Sequence, residues 1–184
     1  VAISDPSPDA PRIVGEVLDN ERRAWDRLDL APGTGAEGEG DLTFEELGGA
    51  VRGAELIQES APENPDVKRS VYAAIEEAAS PDAVIASSTS GIRPTDLQAH
   101  MTHPERLVVG HPFNPVYLLP LVEVVGGAAT SEHTVDKAMA WYRAAGMKPL
   151  RVRVEIDAFI ADRLLEAVWR EALWLVNDGV ATTE

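Results

Sequence analysis

The sequence predicts an α/β fold built on a parallel sheet and passing into an all-α segment near its end. Three observations predict it. Short runs rich in Val, Ile and Leu alternate with longer stretches of helical periodicity, and strands that alternate with helices call for right-handed crossovers and parallel pairing. Polar residues gather just after several of the apolar runs. Residues 155–184, in contrast, hold one long helical pattern and no run of strand character.

Residues 1–4 read as the end of a strand that enters a turn at Asp5-Pro6. No residue precedes this strand, so a neighbouring first strand is expected to be missing. The spacing of Ile13, Val14, Val17, Leu18, Trp25 and Leu28 predicts a helix over 9–28. Residues 32–40 form a Gly-rich acidic stretch, expected to be a mobile loop. A short strand at 42–44 and a short helix at 45–51 follow. Next come a strand at 56–60 and a helix at 65–79. Pro65 suits the first turn of that helix, where an N–H would have no partner anyway. A strand at 84–87, a short helix at 95–100 and a strand at 107–111 continue the alternation. Two further strands are expected at 121–125 and 149–154, around a helix at 131–145. The long pattern at 157–178 closes on Gly179, where left-handed geometry is wanted. Thr182, Thr183 and Glu184 read as the cap of another helix. The expected domains are therefore 1–154 and 155–184.

Composition narrows the function. Of 184 residues, 45% are apolar and 26% charged, an ordinary balance for a globular protein in water. No apolar run approaches the roughly 20 residues that cross a bilayer. No basic-apolar leader opens the chain. The chain has no cysteine, hence no disulfide, thiolate metal site or cysteine nucleophile, which suits a reducing cytosol. The expected location is the cytoplasm, with no membrane partner and no metal. The formal net charge of −15 repels phosphate backbones, so no nucleic-acid partner is expected. Such a surface tolerates a cationic or zwitterionic small molecule, although most charge runs simply keep a face solvated.

In open α/β sheets, ligands bind beyond the carboxyl ends of the strands. The polar residues at those ends are Asp5, residues 60–63 and 87–90, and His111 with Asn114. Asp5 ends its strand where a dinucleotide fold sets an acid against the adenosine ribose. An Asp before Pro6 is also a common turn former. The glycine fingerprint expected about 20 residues earlier does not occur in the sequence, and the 184-residue chain alone is expected to bind such a cofactor poorly.

The segment Gly110-His111-Pro112-Phe113-Asn114-Pro115 is more specific. Its prolines stiffen the loop that carries His111 and Asn114. A lone histidine at a strand end is more often a satisfied polar group than a base. Glu123 shifts that balance, because it interrupts the apolar run Leu121-Val122-Glu123-Val124-Val125. Burying an unpaired carboxylate costs several kcal/mol, and His111 is its nearest expected partner. A carboxylate on one ring nitrogen fixes the tautomer and leaves the other nitrogen to take up a proton. An edge-strand glutamate facing water would fit the periodicity equally.

Ser87-Ser88-Thr89-Ser90, the segment from Gly110 to Pro115, and the run from Leu121 to Val125 together resemble the 3-hydroxyacyl-CoA dehydrogenase family. The family pattern is S-N-T-S, then G-x-H-F-F-N-P, then L-V-E-V. His111 follows Ser90 by 21 positions and Glu123 follows His111 by 12, as in the family. The resemblance covers nearly the whole chain. It implies a Rossmann-like NAD-binding domain, lacking its first strand and Gly-rich turn, followed by the start of an all-α C-terminal domain. It implies NAD as cofactor and hydride transfer from a 3-hydroxyl. His111 then resembles the general base, Glu123 its partner, and Ser90 the hydroxyl that meets substrate and nicotinamide. Asn114 resembles the amide near the nicotinamide ribose, and Glu63 and Lys68 match the family's cofactor contacts. A homodimer is the family habit.

The family has Asn before Arg-Leu-Leu on the first helix of its second domain, whereas Asp162 stands before Arg163-Leu164-Leu165 here. Ionised Asp cannot donate a hydrogen bond. Facing the substrate it would suit a cation, and a salt bridge to Arg163 is the plain alternative. The wording of 110–127, 155–159 and 169–174 is similar to members that act on a 3-hydroxy acid bearing a trimethylammonium group. Aromatic faces hold such cations, which makes Phe113, Tyr117 and Trp169 candidates, although aromatics usually pack in cores. An acyl-CoA would want bases for its phosphates, and the chain has few. A sugar acid such as L-gulonate is used by a related branch. A silent structural protein of the same fold would have no need of Ser90, His111 and Glu123 together.

Overall fold

The computed structural model describes residues 1–29 and 41–183. The acidic loop expected at 32–40 lies outside the described residues, as does Glu184 of the expected final cap. At the chain start, β1 (Ala2–Ile3) pairs in parallel with β2 (Thr43–Phe44), with helix α1 (Ala10–Leu28) between them in sequence. The short helix α2 (Leu47–Ala50) leads to the main sheet.

That sheet has the order β3 (Leu56–Glu59), β4 (Val84–Ser87), β5 (Leu107–Pro112), β6 (Leu121–Gly126) and β7 (Lys148–Val152). Helix α3 (Pro65–Ala78) links β3 to β4, and α4 (Pro94–Gln98) stands between β4 and β5. These three strands run parallel. β6 is antiparallel to β5, a reversal within a sheet whose other described pairings are parallel. Only residues 113–120 join the two, and a parallel crossover needs about a dozen or more. The short link folds β6 back beside β5 and sets His111 directly opposite Glu123. Helix α5 (Glu132–Ala144) then carries the chain over, so that β7 lies parallel to β6.

Both faces of the sheet are covered. Val84, Ala86 and Val108 pack against Val135, Ala138 and Met139 of α5. Their neighbours Ile85, Leu107 and Val109 point the other way, towards Tyr72 and Ile75 of α3 and Leu97 of α4. Successive side chains on a strand alternate between faces, so strands buried on both sides read as unbroken apolar runs. Each such Val, Ile or Leu contributes about 1.5–3 kcal/mol of transfer free energy.

Most element ends agree with the periodicity to within two residues. α3 starts where Asn64 Oδ1 accepts from the N–H groups of Asp66 and Val67, at 2.9 and 3.2 Å. The last helix, α6 (Ala161–Asn177), departs from expectation and starts later than residue 157. Ala158 and Phe159 adopt φ of 59° and 47°, a left-handed geometry that no right-handed helix accommodates. Such geometry costs on the order of 1 kcal/mol per residue. Full burial of Phe159 offsets it. Gly179 ends α6 with φ 71°, in the left-handed region. β7 stops at Val152 rather than 154, and Val154 is exposed.

Among the described residues no helix is long and apolar enough to cross a membrane. Nor do they include a His, Cys, Asp and Glu group able to hold a metal ion.

Candidate active site

The carboxyl ends of β3, β4 and β5 and the start of α6 surround a cleft of about 500 Å³. Ser60, Ser88 and Ser90 line it from the strand ends. His111, Pro112, Phe113, Asn114 and Val116 contribute the next wall, and Asp162 reaches it from α6. Burial decides the character of the central pair. Glu123 is fully buried and His111 is 6% exposed. His111 Nδ1 lies 3.1 Å from Glu123 Oε2, and an ionised carboxylate can only accept, which assigns the proton to Nδ1.

The second carboxylate oxygen is held from another direction. Glu123 Oε1 accepts from the backbone N–H of Ile160 at 2.9 Å and of Ala161 at 3.1 Å. These amides belong to the start of α6, whose positive dipole end favours an anion. The left-handed turn at Ala158 and Phe159 aims them at the sheet. The imidazole is bracketed by Phe113 and Phe159, with ring centroids 5.1 and 5.6 Å away. With Nδ1 engaged, Nε2 is the ring nitrogen left for a ligand.

The other expected site residues fall into distinct places. Ser90, Asn114, Phe113 and Asp162 line the cleft beside His111. Glu63 accepts from the Thr89 hydroxyl and from the Gly91 N–H, the latter at 3.3 Å. Burial alone would raise its pKa. The bonds from Thr89, Gly91 and Ser90 and the Lys68 charge outweigh that, and hold the carboxyl below its usual range. Lys68 itself is buried, with Nζ 2.8 Å from Glu59 Oε1 and 3.7 Å from Glu63 Oε2. Neither Lys68 nor Glu63 is among the residues that line the cleft. Asp5 is exposed and accepts from Ser7 N–H at 2.7 Å, as a turn former does. The Tyr117 carbonyl accepts from Trp25 Nε1 at 2.9 Å, and its ring does not line the cleft. Trp169 is 61% exposed on α6, outside the cleft.

Sequence reasoning missed three features. One is the grip of the α6 amides on Glu123, which no side-chain pattern announces. The second is Glu59, whose oxygens accept from Lys68, Tyr72, Ser87 and the Ala61 N–H. An acid ending the run Leu56-Ile57-Gln58-Glu59 was a signal of the same kind as Glu123. The third is the pairing of Ser60 with Ser88, which only the parallel register of β3 and β4 brings about.

Residues 37–156 match the family described as 3-hydroxyacyl-CoA dehydrogenase, NAD binding domain. The L-carnitine dehydrogenase of Mesorhizobium japonicum is 54% identical over 186 residues, covering 100% of this chain and 50% of the relative. The L-carnitine dehydrogenase of Pseudomonas putida is 54% identical over 180 residues, covering 97% of this chain and 55% of the relative. The chain thus spans about half the length of these curated relatives. Among solved structures, that of FHMPC 5-dehydrogenase, an NAD+ dependent dismutase, superposes with a TM-score of 0.87 at 36% identity. The superposition covers 98% of this chain and 58% of that one.

Proposed function

The chain belongs to the 3-hydroxyacyl-CoA dehydrogenase family, as a member of its NAD-binding domain, and from that premise we propose that the protein oxidises the 3-hydroxyl of L-carnitine to 3-dehydrocarnitine. The observation that carries this reading is the buried His111–Glu123 pair on the wall of a cleft that also holds Asp162. The substrate follows the names of the relatives. A carboxylate at Asp162 suits the trimethylammonium end of that substrate better than it suits an acyl-CoA or L-gulonate.

The residues present fit NAD. Serine hydroxyls stand at the carboxyl ends of parallel strands, and Glu63, held below its usual range, is an ionised acceptor for ribose hydroxyls. When bound, NAD supplies the nicotinamide that takes up the hydride. His111 Nε2 removes the proton of the substrate hydroxyl, and Ser90 holds the same oxygen. Glu123 keeps the imidazole in the reactive tautomer and stabilises the imidazolium. Asn114 would hold the nicotinamide ribose, and Lys68, whose Nζ is 3.7 Å from Glu63 Oε2, would act on the cofactor through Glu63.

The proposal extends to the whole protein. Residues 1–154 form the NAD-binding part and 155–184 start a helical part. The whole protein is proposed to be a homodimer. The proposed location is the cytoplasm.

NADH formation by the whole protein with L-carnitine, L-gulonate and 3-hydroxybutyryl-CoA tests the reading. Turnover of L-carnitine is expected, with His111→Ala lowering kcat by about 10²–10⁴-fold while NAD binding persists. Turnover of the CoA ester alone would sink the substrate, and unchanged kcat in His111→Ala would sink the base.

A further inference from the structure

Ser60 and Ser88 lie 2.8 Å apart, hydroxyl to hydroxyl, and both line the cleft. We propose that this pair is a binding subsite that donates one O–H to an acceptor oxygen of the bound ligand, either a carboxylate oxygen of the substrate or a ribose oxygen of the dinucleotide. The inference rests on the dehydrogenase reading above and adds a recognition element to it.

The polarity of the surrounding hydrogen bonds carries the argument. Gln58 Nε2 lies 3.0 Å from the Gly110 carbonyl oxygen, which can only accept. The amide group must therefore face it, and the same Nε2 donates to Ser88 Oγ at 2.7 Å. Gln58 Oε1 is turned the other way, where it accepts from the Tyr142 hydroxyl. Burial pushes the Tyr142 phenol up, more than the Gln58 bond pulls it down, so it remains a donor at neutral pH. The chain of donors thus starts in the core and ends at Ser88. From there, two hydroxyl protons share one bond between Ser60 and Ser88. Whichever serine donates to the other, one proton is left over, and its open side is the cleft.

A hydroxyl proton aimed into a site selects an oxygen acceptor and rejects another donor. L-carnitine offers two such oxygens in its carboxylate, and the cofactor offers others in its riboses. Asp162 on the same cleft supplies the opposite preference, for a cation.

The test compares Ser60→Ala, Ser88→Ala and the double variant with wild type, made in the whole protein. NAD affinity is read by calorimetry, and the KM for L-carnitine by NADH formation. In the double variant, one of the two constants is expected to weaken about 3- to 10-fold, the loss of a neutral donor, with kcat within twofold and Tm preserved. A rise in the KM for L-carnitine alone assigns the carboxylate, and weaker NAD binding alone assigns the ribose. Each single variant loses less than the double, because the remaining hydroxyl keeps a free proton. Ser60→Thr retains the hydroxyl and is expected to bind as wild type. Both constants within twofold of wild type in the double variant would overturn the proposal, as would a Ser60→Thr/Ser88→Ala variant, which keeps one hydroxyl, binding as poorly as the double Ala variant. Should wild type leave L-carnitine untouched, the proposed substrate falls, and the pair is judged on NAD binding and on the KM of the 3-hydroxy acid that is turned over.

Discussion

Glu123 shows how a single carboxylate is made to serve two elements. One oxygen faces His111 and the other faces two backbone N–H groups of α6, which can only donate. That asymmetry predicts the outcome of Glu123→Gln. The amide oxygen must stay with Ile160 and Ala161, so the NH₂ is turned towards His111 Nδ1. Nδ1 must then accept, the proton moves to Nε2, and the base is lost while the shape is kept. A fall in kcat of about 10²–10⁴-fold is expected, with the KM for NAD little changed. Retention of wild-type kcat would show that the tautomer is not set this way. Glu63 supports a pH prediction. Its carboxyl is lowered on folding, so it adds stability above its ordinary value of 4.5, and that stability is lost as pH falls through the lower folded value. Glu63→Gln is therefore expected to lower Tm near neutrality and to converge on wild type in acid. A constant gap across that window in calorimetric scans would count against it. At this scale the sequence was informative wherever a charged residue sat in an apolar run. It was silent about backbone donors, because an amide belongs to every residue.

At the scale of elements, the two strands β5 and β6 decide the site. Their apolar runs were legible, and so was the shortness of the link between them, yet alternation alone favoured a parallel sheet. The reversal follows from the length of residues 113–120, and it is what places Glu123 across from His111. The start of α6 was not legible, because nothing in Ala158-Phe159 marks a left-handed turn as Gly or Asn would. Gly110 is the matching case on β5. A Cβ built there would lie 1.9 Å from the Tyr142 hydroxyl and 3.2 Å from Ala86 Cβ. The ring of Tyr142 is buried and tied to Gln58, so it cannot swing away freely. Gly110→Ala is expected to destabilise by about 1–3 kcal/mol, the range for overpacking, measured by urea unfolding. The compensating change Tyr142→Phe removes the clashing oxygen, and the double variant is expected to recover part of the loss. The ring carbon Cζ of Tyr142 stays 2.8 Å from the added Cβ, so recovery is expected to be incomplete, and none at all would mean that this carbon or β5 itself holds the strain.

For the whole molecule, charge sets the scale of the remaining prediction. Sixteen basic and 31 acidic residues leave a net charge of −15 (16 − 31), and the repulsion acts across the entire surface. Exposed ion pairs such as Arg12–Glu16, with side chains 59% and 62% exposed, offset little of it. The pairs that matter to the site are sheltered. Lys68–Glu59 and His111–Glu123 are all within 7% side-chain exposure, so salt reaches them poorly. Added salt shortens the screening length from about 10 Å at 0.1 M to about 3 Å at 1 M. Long-range repulsion therefore fades first, while the buried pairs keep most of their strength. Tm is expected to rise steadily with NaCl between these concentrations. A chain held together mainly by surface ion pairs would instead lose stability over the same range. A flat or falling Tm in a salt series by calorimetry would show that the acidic surface is already balanced locally.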